Sequence, residues 1–62
     1  MKATFENRTL EFIDIPKVSD LLQKLVLEPG AVLVVREGRL LREEDPLANE
    51  DEVLILRVIS GG

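Results

Sequence analysis

Val18, Leu21, Leu22 and Leu25 stand at i, i+3, i+4 and i+7, and no second helix of this kind is visible in the chain. That spacing puts four apolar side chains on one face of a helix. Asp20 lies near the positive end of the helix dipole, and Lys24 follows it at i+4. The pattern predicts roughly 10 residues of helix. Glu28-Pro29-Gly30 stops it, since proline cannot continue the ladder and glycine suits the exit turn. The flanking segments read as strands, and one helix cannot cap both faces of a sheet. The chain is therefore expected to be α+β, with one helix packed on one face and the second face open.

Lys2-Ala3-Thr4-Phe5-Glu6 alternates with period two, and Asn7-Arg8 reads as a two-residue turn into Thr9-Leu10-Glu11-Phe12. This is an opening hairpin with Ala3, Phe5, Leu10 and Phe12 on one face. After Phe12 the alternation slips. Ile13 and Ile15 take the other parity, marking a bulge or exposed apolar residues, and Pro16 closes the strand. Past the helix, the β-branched run Val32-Leu33-Val34-Val35-Arg36 reads as a strand. Glu37-Gly38 turns the chain into a short fourth segment, Arg39-Leu40-Leu41. Residues 42–52 are polar, acidic and broken by Pro46, which reads as a loop with one helical turn at Pro46-Leu47-Ala48 and Leu47 as its anchor in the core. Val53 to Val58 is the last strand. It is apolar on both parities, as a central strand or one covered on both faces is. Leu54, Leu56 and Val58 are then either partly bare or covered by a partner. A hairpin, one helix and a last strand close to the first give the order of a β-grasp, with a mixed sheet of four to five strands.

At 62 residues this is one domain, close to the size at which only about 60% of the unfolded surface is buried. Little room remains for a substrate pocket beside a core. A composition 45% hydrophobic and 32% charged is that of a folded domain. The chain has no Cys and no His, which removes the cysteine nucleophile, the thiolate metal site and the usual general base. Twelve acidic residues against eight basic give a net charge of −4, which disfavours nucleic acid as a partner. The carboxylates Glu43, Glu44, Asp45, Glu50, Asp51 and Glu52 lack the spacing of a calcium loop and read as a solvated face, so no metal site is expected. The apolar runs are far shorter than the roughly 20 residues that span a bilayer. No basic segment followed by an apolar stretch opens the chain, and a cytoplasmic location is the expectation.

The chain finishes Arg57-Val58-Ile59-Ser60-Gly61-Gly62. Residues without Cβ let a backbone thread a slot too narrow for side chains. A terminal Gly-Gly suits delivery of a carboxylate into another protein's active site, whereas its bland reading is a frayed end. Residues 1–58 are read as the domain and residues 59–62 as a flexible tail.

The ending Leu56-Arg57-Val58-Ile59-Ser60-Gly61-Gly62 resembles the carboxyl-terminal signature of the ThiS sulfur-carrier family, within the ubiquitin-like ThiS/MoaD group, with Ser60 where alanine is frequent. Val18-Ser19-Asp20-Leu21-Leu22 is similar to the start of that family's helix. Val34-Val35-Arg36-Glu37-Gly38, Pro46-Leu47 and Glu50-Asp51-Glu52-Val53 are similar to its middle strands and the loop before its last strand. Family members often carry an Asp-Gly-Asp turn there; this chain has Asn49-Glu50-Asp51. The resemblance covers nearly the whole chain, and its most specific part is the tail.

The resemblance implies a carrier used as a cosubstrate, not an enzyme. Gly62 would be the site of adenylation and of the thiocarboxylate, with Gly61, Ser60 and Ile59 threading the tail. The chain itself would bind no cofactor; ATP and Mg²⁺ would be used by a ThiF- or MoeB-like adenylating enzyme. A cysteine desulfurase or rhodanese-like protein would donate sulfur, and thiazole synthase or another acceptor enzyme would receive it, most simply in thiamine biosynthesis. Leu54, Leu56, Arg57 and Val58 are the residues expected to dock partners, Arg57 through a partner carboxylate; the bland readings are a central strand sealed by neighbouring side chains and an arginine that merely keeps the tail soluble. Two alternatives keep the same fold: a ubiquitin-like modifier joined to lysines, and a MoaD-like small subunit of molybdopterin synthase.

Overall fold

The computed structural model describes residues 1–58. β1 (Lys2–Phe5) and β2 (Arg8–Glu11) form the opening hairpin, and α1 (Val18–Lys24) follows. After a short 3₁₀ turn at Pro29–Ala31 come β3 (Val32–Arg36), β4 (Arg39–Leu41) and β5 (Glu52–Arg57). The five strands form one sheet in the order β2-β1-β5-β3-β4. β1 and β5 run parallel and the other neighbours antiparallel, so the sheet is mixed and the last strand is central, beside the first. With one helix against one face, this is the expected ubiquitin-like β-grasp.

The core lies between the sheet and α1. Ala3, Val32, Val34, Val53 and Ile55 rise from the sheet to meet Val18, Leu21 and Leu22, the helical face identified by its spacing. Leu25 packs at its margin. Leu21, Ile55 and Val18 are the largest side chains fully withdrawn from water, each contributing about 1.5–3 kcal/mol through burial of its apolar surface. Met1, also buried, was not identified from sequence. Its ammonium donates to the Phe12 carbonyl, and the Phe12 amide donates back to Met1.

Four local expectations need correction. The hairpin turns on Glu6-Asn7, one residue earlier than Asn7-Arg8, because β1 closes with Phe5 opposite Arg8. Both turn residues have positive φ, 49° and 67°, the geometry whose twist matches that of the flanking strands. Asn7 tolerates that region; Arg8 has instead joined the strand. Glu37-Gly38 turns as expected, again with both φ values positive.

The helix is 7 residues long and stops before Pro29 is reached. Val26 enters the left-handed region at φ 57°, its amide donating to Gln23 and that of Leu27 to Leu22. These two bonds satisfy carbonyls that the last turn would leave unpaired.

The slip after Phe12 is a bend and not a bulge, and the other reading, exposed apolar residues, holds for Ile13 but not for Ile15. β2 has ended at Glu11, and Asp14 at φ 57° leaves Ile13 in water while sending Ile15 into the core.

The acidic loop has no helical turn at Pro46-Leu47-Ala48. Pro46 pairs with Lys17 in an isolated bridge, and the Leu47 amide donates to Pro16. Leu47 does pack against the core. The loop's carbonyls also cap the helix, which has no side-chain cap: Asp45 accepts from the Val18 amide at 3.1 Å and Glu43 from Ser19 at 2.9 Å.

Candidate functional site

β5 has two faces, and its alternation decides what each can do. Val53 and Ile55 point to the helix and are buried, while Leu54 and Leu56 point to the uncovered side and are 42% and 44% exposed. The strand register then brings in residues that sequence reading missed. Val35 lies opposite Leu54 on one side and Leu40 on the other, and Leu33 lies opposite Leu56. Paired residues share a face. Leu33, Val35, Leu40, Leu54 and Leu56 therefore form one apolar patch, on the order of a few hundred Å².

Across the same face, over β1 and β2, the surface is polar. Lys2, Thr4, Thr9 and Glu11 lie there, with Thr4 and Thr9 hydroxyls 3.1 Å apart. The patch is thus confined to the β5-β3-β4 half and runs toward the chain's end. Val58 continues the row of Leu54 and Leu56, half exposed, and its amide donates to the Ala31 carbonyl at 2.9 Å. Three expected docking residues, Leu54, Leu56 and Val58, stand together.

Arg57 does not stand with them. It takes the parity of Val53 and Ile55, and its Nη2 donates to Glu6 Oε1 at 3.2 Å. Its guanidinium carbon sits 5.2 Å from the centre of the Phe5 ring. The charge assigned to a partner is engaged within the chain. Ile59, Ser60, Gly61 and Gly62 lie outside the described residues.

The acidic loop has an internal purpose. Asp51 Oδ2 accepts from the Ala48 amide at 2.8 Å and from Arg36 Nη1 at 2.8 Å. The Ala48 amide bond and the Arg36 guanidinium hold the Asp51 carboxyl below the ordinary carboxylate value, with partial burial opposing them. Asp45 Oδ2 accepts from the Arg42 amide at 2.7 Å. Among the described residues no group of three or more carboxylates converges to hold a metal ion. Nor is any described helix long and apolar enough to cross a membrane.

This small β-grasp domain, with an open apolar face that extends to Val58, matches a sequence model described as the ThiS family, over residues 2–62. The chain belongs to the ThiS family. No curated protein matches it individually. ThiS-family proteins are small carriers rather than enzymes, and as one of them this chain is a sulfur carrier protein. Membership also implies partners that activate and transfer sulfur.

Proposed function

We propose that Gly62 carries the sulfur. Its carboxylate oxygen attacks the α-phosphorus of ATP in a ThiF- or MoeB-like partner, pyrophosphate leaves, and an acyl-adenylate forms. A poor electrophile becomes a good one. The terminal sulfur of a persulfide relayed from a cysteine desulfurase or rhodanese-like donor then displaces AMP to give an acyl disulfide. A second partner thiol cleaves its S–S bond, becoming a disulfide with the donor and releasing the Gly62 thiocarboxylate, which passes its sulfur to an acceptor enzyme, thiazole synthase in the thiamine pathway. ATP and Mg²⁺ belong to the activating partner. The carrier contributes recognition through Leu33, Leu40, Leu54 and Leu56 and reach through Ile59, Ser60, Gly61 and Gly62, while the partner does the chemistry.

The observation that carries this reading is the exposed apolar row Leu54, Leu56 and Val58, which extends to the last described residue, in a family match that extends through Gly62. Intact mass of the protein from its own host, before and after incubation with ATP, the adenylating enzyme and a sulfur donor, tests it. A species heavier by the difference between sulfur and oxygen, located at Gly62 by fragmentation, is expected. Lysine-linked conjugates without that species would overturn the proposal in favour of a protein modifier.

A further inference from the structure

The end of β5 is held from both sides. On the β3 side the Val58 amide donates to Ala31 at 2.9 Å. On the other side the last residue of β1 and the first of the hairpin turn each contact the same side chain, the Phe5 ring under the Arg57 guanidinium at 5.2 Å and the Glu6 carboxylate at 3.2 Å. The pairing spans 51 positions of sequence. It is possible because β1 and β5 are parallel, which brings the Glu6-Asn7 turn to the same end of the sheet as the chain's exit. Both groups of the ion pair are more than half exposed, and such a pair is weak alone in water. Stacking on an aromatic face adds to it, and the Val58 hydrogen bond opposes fraying from the other edge.

We propose that Arg57 is a positioning residue: clamped by Phe5 and Glu6, it sets the point at which the chain leaves the domain. The proposal rests on Gly62 being the reactive end. With the clamp closed, four residues follow Val58, and they reach at most about 14 Å. That reach bounds how deep below the docking surface a partner's reactive centre can lie. With the clamp open only the β3-side bonds hold Arg57 and Val58, and each time these fray the tether begins at Leu56 and is six residues long. Effective concentration at a fixed target falls roughly as the −3/2 power of tether length, so delivery of the carboxylate drops by up to about twofold. The docking patch lies on the opposite face of the sheet and is unaffected.

Two measurements test this with Arg57→Ala and Glu6→Gln. In the first, backbone ¹⁵N relaxation is compared in the free proteins. Arg57→Ala is expected to lower the order parameters of the Arg57-position and Val58 amides while leaving Leu54 and Ile55 unchanged, with Glu6→Gln doing so more weakly. Unchanged order at Val58 in both variants overturns the proposal, and this arm needs no partner, so it stands apart from the fate of the sulfur-carrier chemistry. In the second, ATP–pyrophosphate exchange by a ThiF-like enzyme is followed with the carrier as the varied substrate. A kcat lowered by up to about twofold at unchanged KM supports positioning. A raised KM at unchanged kcat, with Glu6→Gln silent, assigns Arg57 to the partner interface and overturns it.

Discussion

Neighbouring side chains on β5 should answer truncation in opposite ways. Ile55 is 2% exposed beneath α1, and Ile55→Ala removes buried methyl groups and leaves a cavity, at about 2–5 kcal/mol. A chain of 62 residues is held by roughly 3–9 kcal/mol in total, so this substitution spends a large part of its stability. With a urea dependence of about 1 kcal/mol per molar, the unfolding midpoint falls by roughly 2 M or more. Leu54 sits one position away on the uncovered face, 42% exposed. Leu54→Ala should cost about 1 kcal/mol or less in stability, shifting the midpoint by no more than about 1 M. In a complex the same truncation removes apolar contact worth about 1–2 kcal/mol, which raises KM for the carrier some five- to thirtyfold. Urea unfolding followed by circular dichroism and ATP–pyrophosphate exchange with the activating enzyme read the two effects. Equal midpoints for the two variants would refute the two-faced description of β5. A normal KM for Leu54→Ala would refute the docking role of the patch.

Three further predictions bear on other parts of the chain. Val26 holds φ 57° with its side chain 90% exposed, a conformation costing a residue with Cβ about 1–2 kcal/mol. Val26→Gly relieves that strain at some expense in unfolded-state entropy, so thermal unfolding should move up by about 2–6 °C; a lower midpoint would contradict the strain. Asp51, depressed in the folded protein, stabilises fully above the unfolded carboxylate value of 3.8 and loses that contribution as the pH falls through the lower folded value. Acid titration of stability should therefore be shallower in Asp51→Asn, which is itself weaker at neutral pH by about 1 kcal/mol, and identical acid profiles would exclude the role given to Asp51. If the tail threads a narrow slot as proposed, Gly62→Ala, which adds a Cβ at the terminal position, should block adenylation while leaving the urea midpoint unchanged; normal exchange kinetics would count against tail delivery.

Local patterns carried much of the fold. The spacing of Val18, Leu21, Leu22 and Leu25 identified the helix and its buried face, because a helical period is written in neighbouring residues. The β-branched run Val32–Val35 and the Glu37-Gly38 turn were legible for the same reason. Boundaries were less so. The helix ends early because Val26 accepts the left-handed region, an outcome its own β-branched propensity argues against. The first turn moved by one residue because the pairing of β1 with β2, not the identity of Asn7 alone, sets the register.

The sequence by itself determined that one helix faces one side of a sheet, that the other side stays open, and that the last strand is apolar on both parities. Only the tertiary structure decided who shares the open side. Leu33, Val35 and Leu40 lie 14 to 23 positions from the β5 leucines they join, and nothing local says so. The same holds for Arg57, whose side of the strand follows from alternation but whose partners, Phe5 and Glu6, come from the far end of the chain. Periodicity is a property of adjacent residues, whereas register and strand order are set by which pairing buries the most apolar surface across the whole domain.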